Sequence, residues 1–390
     1  MPNIQTKELK LLEFPFESEG YSFEFIANGI NSKESLIFTR YKEFSFFLIL
    51  IKRESDFLIK ADKLSRVSPI SIIQNGLKAF SKVHNLELTY SNVDSKREYR
   101  VKRSSRYLKD ISYFINDLKY DKEIWIEVGF GSGRHLLYQA KKHPDLLFVG
   151  LEIHSPSIEQ LIKQCELQGI DNIYICKFDA RLFLEIIESN SVGRIFVHFP
   201  VPWDKKPHRR VISKSFIDES IRVLKEGGTL ELRSDSDNYF NYAYKLFISL
   251  SSVDIRIRKN QEIEISSKYE DRWKRMEKNI YDIIMTNHTL SLDRQKYESL
   301  EFDRWVSFGD FKNRFHKKSM REDDYFVHFE EIYEIDRDSG VVKLSFGSFD
   351  RCEHKYMIFN NNKIEYFPNE SLPIKENLKS HKKIEEFLYG

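Results

Sequence analysis

The stretch Ile124–Gly133, IWIEVGFGSG, restricts the possible folds more than any other part of the chain. Ile124, Trp125 and Ile126 read as the end of a buried strand, and Glu127 closes it. Gly129-x-Gly131-x-Gly133 follows, and then Leu136, Leu137 and Ala140 at helical spacing. Glycines so placed let the backbone turn sharply and approach a ligand, while the helix start offers free amide groups. Strand, glycine loop and helix in that order predict a nucleotide-type site at the edge of an α/β sheet. The other reading is an ordinary strand-to-helix turn.

The dinucleotide fingerprint G-x-G-x-x-G fails, because its sixth position is Arg134. That argues against a nicotinamide oxidoreductase. An acid two residues before the first glycine suits S-adenosylmethionine instead. Its carboxylate can meet the cationic amino-acid end of that molecule, whose sulfonium also favours negative surroundings.

From residue 121 onward strands alternate with helices. Strands are expected at Leu147–Ile153, Ile173–Phe178, Arg194–Phe199 and Gly228–Arg233. Helices are expected at Ser155–Gln168, Leu182–Glu188, Ser213–Leu224 and Asn238–Leu250. Gly227-Gly228 reads as a helix stop, and Ile255–Ile265 and Tyr281–Met285 as two closing strands. Such repeats predict a doubly wound, Rossmann-like, largely parallel sheet with its ligand at the C-terminal strand edge. Glu152 ends the second strand about 20 positions after the glycine loop, where an acid accepts from a ribose diol. Asp179 ends the third, placed to hold an adenine amino group. Glu127, Glu152 and Asp179 at three successive strand ends say more together than each does alone.

The fourth strand runs into His198–Arg210, HFPVPWDKKPHRR. Two prolines around Val201 stiffen this loop, and Trp203 offers a flat face for stacking. Lys205, Lys206, His208, Arg209 and Arg210 form a dense basic cluster. Beside a cofactor edge, this suits an RNA substrate, with phosphates on Arg and Lys and a base positioned by stacking. A solvated basic loop would not need the Pro-x-Pro-Trp frame.

Here the chain resembles the tRNA (guanine-N7)-methyltransferases. That family has an E-I/V-G-F-G-x-G loop, an F-P-D-P-W-x-K-x-R-H motif, a T-D strand end and a T-K-F-E segment. The matching stretches are Glu127–Gly133, Phe199–His208, Ser234-Asp235 and Ser267-Lys268-Tyr269-Glu270, within about residues 121–287. The resemblance implies a class I methyltransferase core that moves a methyl from S-adenosylmethionine to N7 of a guanine in the variable loop of tRNA, without a metal. It implies cofactor contacts at Glu127, Gly129, Gly131, Gly133, Glu152 and Asp179. Guanine and tRNA contacts are implied through Lys205, Asp235 and Ser267, Lys268, Tyr269 and Glu270, with Arg209 and Arg210 from the basic cluster. One position departs: the acid between the two prolines, an active-site residue in the family, is Val201 here. Asp235 and Asp204 are the candidates to replace its charge. An RNA-binding protein that keeps the pocket but lost turnover is the alternative.

At 390 residues the chain exceeds one ordinary domain. Residues 1–105 read as a β-rich or α+β domain, 106–287 as the methyltransferase domain and 288–390 as a small β module. In the last, Asp338-Ser339-Gly340 and Asn360-Asn361-Asn362 mark hairpins. Glu301–Arg321 interleaves aromatic and basic residues; this reads as an RNA contact or a half-buried strand pair. Ser91–Lys109 is rich in Lys and Arg, and reads as a phosphate-contacting segment or a solvated linker. Net charge is only +2, so nucleic-acid binding must come from such local patches. The 3 cysteines show no metal-ligand spacing and no even disulfide framework, which fits a reducing cytoplasm. No leader precedes the first strand and no apolar run is long enough to span a membrane.

Overall fold

The computed structural model describes residues 1–67, 69–93, 106–265, 268–296, 300–315 and 319–390, except the side chains of Lys268 and Tyr269. The chain forms two compact units, one from Lys102–Gln295 and one from Met1–Val101 together with Lys296–Gly390.

The first unit carries strands β1 (Leu108–Lys109), β2 (Ile124–Val128), β3 (Leu147–Leu151), β4 (Ile173–Cys176), β5 (Val192–His198), β6 (Leu224–Ser234), β7 (Val253–Lys259) and β8 (Tyr281–Asn287). Their order across the sheet is β7-β8-β6-β5-β2-β3-β4-β1. β8 runs antiparallel to both neighbours, while β1 to β6 pair in parallel. Every residue of β2 and β3 is buried, as expected for strands covered on both faces. Helices α1 (Ile111–Asn116), α2 (Arg134–Lys142), α3 (Ser155–Gln168), α4 (Ala180–Ile186), α5 (Lys214–Val223), α6 (Asp237–Ile248) and α7 (Lys268–Arg275) complete the unit. This is the doubly wound α/β core that the alternation of elements predicted.

Two features of this core place the site. The chain leaves β2 toward β3 on one side and returns to β5 on the other, so β2 and β5 are neighbours at the point where strand order reverses. A doubly wound sheet opens its crevice there. Gly150 on β3 also lets the loop pack down. A Cβ there would lie 2.6 Å from Leu136 Cδ2 and 2.8 Å from Phe130 Cδ1.

The second unit is built on a sheet of 12 strands. Strands Tyr21–Gly29, Glu34–Tyr41, Phe44–Lys52 and Phe57–Ala61 form one antiparallel run. Phe326–Glu334, Gly340–Gly347, Glu353–Asn360 and Lys363–Phe367 form another. The runs join where Tyr333 pairs with Gly29 and Glu334 with Asn28. Helix Ser71–Val83 packs on the first run and Lys375–Tyr389 on the second.

Three expectations change. The two chain ends, read as separate domains over 1–105 and 288–390, share this sheet and a cluster of Phe38, Phe47, Tyr356 and Ile358. Pairing between strands some 300 positions apart leaves no local sequence signal. Within Glu301–Arg321, the half-buried strand pair is absent at Phe308–Arg314, which is a helix capped by Ser307, whose hydroxyl accepts from Asp310 N at 3.1 Å. Phe308 and Phe311 are buried one helical turn apart; residues 316–318 lie outside the described residues. Gly227-Gly228 falls inside β6 instead of stopping a helix; α5 ends earlier, at Val223. Part of Ser91–Lys109, residues 94–105, also lies outside the described residues.

Phe47 contacts Tyr356 and Phe367 at ring-centroid distances of 4.9 and 5.3 Å. Phe47→Ala should therefore destabilise the unit by about 3–5 kcal/mol and raise hydrogen exchange in both Phe44–Lys52 and Glu353–Asn360. Faster exchange in the first strand alone would show two independent cores.

Candidate functional site

Gly129, Gly131 and Gly133 all adopt positive φ, at 67°, 53° and 72°. A side chain would be strained at each, and nothing lies within 4 Å of where a Cβ on Gly129 would sit. The loop is tied to the end of β3 by Glu152. Its Oε2 accepts from Gly131 N at 3.1 Å, and its Oε1 from Ile153 N and His154 N at 2.8 and 3.0 Å. Asp179 caps α4 and accepts from Arg181 N at 3.0 Å, while the Arg181 guanidinium pairs with it at 2.6 Å. Open space over the loop, with acids at successive strand tips, fits S-adenosylmethionine.

Glu127 is buried beneath the loop, 4% exposed. Its Oε2 lies 2.9 Å from Nδ1 of His135, in the first turn of α2. The His135 ring packs on His198 at 4.6 Å between centroids, and His198 Nε2 lies 2.9 Å from Glu231 Oε1 on β6. An acid–imidazole–imidazole–acid row thus crosses from β2 to β6. Burial alone would lower the His135 pKa, but the charge and hydrogen bond of Glu127 outweigh it and raise it. Burial would raise Glu231, yet His198 holds it below the usual carboxylate range.

The loop after β5 is rigid for a reason the prolines only partly supply. Phe199 and Trp203 take positive φ, at 49° and 46°, values uncommon for bulky residues. The Phe199 amide donates to Arg233 O at 2.7 Å, and Arg210 holds the residues on either side of Trp203. Arg210 is 6% exposed, donates from Nε to Pro202 O at 2.7 Å, pairs with Asp204 at 3.2 Å and lies against the rings of Tyr239 and Tyr242. Tyr239 in turn accepts from Ile212 N at 3.0 Å. Arg210, expected to meet RNA, is turned inward and organises the loop. Lys205, Lys206, His208 and Arg209 are exposed, with the Arg209 guanidinium 5.2 Å from the Trp203 ring centroid. Val201 is 61% exposed.

Beyond β6, Asp235 pairs with Lys278 at 2.8 Å. Glu270, on α7, is fully buried and pairs with Arg233 at 2.8 Å; Arg233 also pairs with Asp282, its register partner on β8. Burial would lower the Arg233 pKa, but Glu270 and Asp282 raise it. Glu270, expected among the guanine and tRNA contacts, instead anchors α7 to the sheet. Ser267 lies outside the described residues, as do the side chains of Lys268 and Tyr269.

The structure therefore brings the glycine loop, Glu127 and Glu152 together at one edge, with Asp179 on the next strand but one from β2. The sequence reading missed His135, His198, Glu231, Arg233 and Asp282. Register alone carried a signal: Arg233 and Asp282 face each other across β6 and β8. A separate cavity of about 550 Å³ in the second unit is lined by Asn28, Lys312, Glu334 and Arg337, and holds none of the site residues named above. Among the described residues no group of three or more His, Cys, Asp or Glu is placed to hold a metal ion. No described helix is long and apolar enough to cross a membrane.

Residues 121–283 match a family model described as "Putative methyltransferase". A protein of Wolinella succinogenes named tRNA (guanine-N(7)-)-methyltransferase is 41% identical over 100% of both chains. One of the same name from Campylobacter fetus is 39% identical over 100% of this chain and 99% of its own. Among solved structures, a 16S rRNA methyltransferase is similar over 46% of this chain and 92% of its own, at 14% identity and a TM-score of 0.36.

The raised His135 pKa makes its contribution pH-dependent. It is complete below the ordinary imidazole value of about 6.5 and is lost as pH rises through the folded value. His135→Gln should cost roughly 1.5–3 kcal/mol at pH 6 and less at pH 8.5, as read by urea unfolding. An equal cost at both values would mean that the Glu127 contact does not hold the proton.

Proposed function

The chain belongs to the tRNA (guanine-N(7)-)-methyltransferase family, and from that membership we propose that it methylates N7 of a guanine in the variable loop of tRNA. The observation that carries this reading is the switch-point geometry. The glycine loop leaves β2 and the Pro-x-Pro-Trp loop leaves β5, and these strands pair side by side. A cofactor edge and a stiff basic loop thus open onto one crevice.

S-adenosylmethionine supplies an electrophilic methyl group when bound. Glu127 faces its amino-acid end, Glu152 its ribose and Asp179 its adenine amino group. Gly129, Gly131 and Gly133 keep the approach free of side chains. Lys205, Lys206 and Arg209 meet phosphates, and Trp203 stacks near the entering base. Lys268 and Tyr269, at the start of α7, border the same crevice by family resemblance.

Guanine N7 already carries a free lone pair, so no proton has to be removed. Alignment of N7 with the methyl carbon and sulfur supplies much of the acceleration. Positive charge arrives on the purine as the bond forms, and a fixed carboxylate stabilises it. Val201 cannot do this. Asp235 takes that part, held in place by Lys278, and Asp204 assists from within the loop, held by Arg210. The free thiols Cys165, Cys176 and Cys352 suit the reducing cytoplasm in which tRNA is modified.

A labelled-methyl assay on tRNA, with cleavage at N7-methylguanine, tests the reading. Wild-type protein should place the label at one variable-loop guanine. Asp235→Ala should lower kcat by about a hundredfold, and Asp204→Ala by less. Unchanged rates in both variants would remove these acids from the mechanism, and label at another base would remove the proposed substrate.

A further inference from the structure

We propose that Cys352 is an activated thiol, set in an acid–imidazole–thiol row with Glu330 and His354, that takes a mixed-disulfide adduct from low-molecular-weight disulfides. The site lies in the second unit and does not depend on the methylation reading.

The row spans three neighbouring strands. Cys352 Sγ lies 3.7 Å from His354 Nε2. His354 Nδ1 lies 3.4 Å from Glu330 Oε1, and Glu330 Oε2 pairs with Lys343 at 2.9 Å. Glu330 is the extra residue of a bulge, since register shifts between Phe329 and Glu331. A bulge re-aims one side chain, and here the carboxylate reaches across Gly340–Gly347 to the strand that carries His354. A nucleophile beside a base that a third group orients is the arrangement of an activated thiol.

The electrostatics agree with the geometry. The hydrogen bonds that His354 makes with Cys352 and with the Glu330 carboxylate raise its pKa to about 10, against burial. His354 and Lys343 hold the Glu330 carboxyl at about 2. A cationic imidazole 3.7 Å away gives the sulfur the electropositive, partly exposed surroundings in which reactive cysteines sit. The other two thiols differ. Cys165 and Cys176 are buried, and burial pushes both up, Cys165 to about 12. Cys352 is half-buried beside a 57% exposed imidazole, so a small reagent can reach it.

In the reaction the Cys352 sulfur attacks one sulfur of a disulfide R–S–S–R. The Cys352–S–S–R bond forms, the R–S–S–R bond breaks, and R–S⁻ departs with the electron pair and takes up the proton that the Cys352 thiol gives up. Excess free thiol reverses it.

The test uses the full chain with oxidised glutathione at pH 7, followed by intact-mass and peptide mapping. One adduct is expected, on Cys352, forming about tenfold faster in the native chain than at the same cysteine in the urea-unfolded chain. His354→Asn should remove that advantage while leaving the melting temperature and methylation rate near wild type. Glu330→Gln should give an intermediate rate. First modification at another cysteine would overturn the proposal. So would a native rate no higher than the unfolded one, or an undiminished rate in His354→Asn.

Discussion

The Glu152 carboxylate, holding the Gly131 amide at 3.1 Å, is the contact on which the cofactor edge depends. Three glycines at positive φ make a loop that a ligand can approach closely; the buried Phe130 ring seats it on β3, and the Gly131 amide is left for a side chain to hold. Glu152 supplies the missing restraint from the next strand, and the same carboxylate receives two amides of the turn after β3. Two loops from two strands are thereby locked by one side chain. Beneath them, the row from Glu127 through His135 and His198 to Glu231 gives the buried Glu127 and the half-buried Glu231 an imidazole partner each. A carboxylate left alone at that depth would be costly.

Burial divides the basic residues into two kinds of work. Arg210 and Arg233 face inward: Arg210 binds the Pro202 carbonyl and Asp204 of its own loop, and Arg233 ties α7, β8 and the Gln261 carbonyl together. Lys205, Lys206 and Arg209 stay exposed, free to meet phosphates. Arginine suits the inner task because its planar fork serves several acceptors at once. Arg233 does so with Glu270, Asp282 and the Gln261 carbonyl. The family motif around Glu270 therefore fixes where α7 starts, and the neighbouring Lys268 and Tyr269 inherit that position.

The α/β core was legible because its signals are local: the alternation of apolar strand runs with helical periodicity, and a glycine loop between a strand and a helix. The places of the three acids were legible for the same reason: Glu127 lies near the end of β2, Glu152 directly follows β3, and Asp179 stands between β4 and α4. Arg210 and Glu270 were not read correctly, because a charged residue in a basic or polar motif carries no mark of burial. Only the surrounding Tyr239, Tyr242, Arg233 and Asp282, distant in sequence, turn them inward. The second unit was missed as a unit because its two halves meet through a two-residue register and shared aromatic packing. Aromatic residues also favoured a strand reading at Phe308–Arg314, where the turn-by-turn burial of Phe308 and Phe311 settles on a helix.

Calorimetric titration of Glu152→Gln with S-adenosylhomocysteine tests the central claim most directly. Glutamine keeps the size of the side chain but removes the charge that gathers three amides. The account predicts affinity at least tenfold weaker than wild type, in line with the roughly 1.5–3 kcal/mol of a charge-assisted hydrogen bond, with the fold retained. Wild-type affinity in a folded Glu152→Gln chain would contradict it.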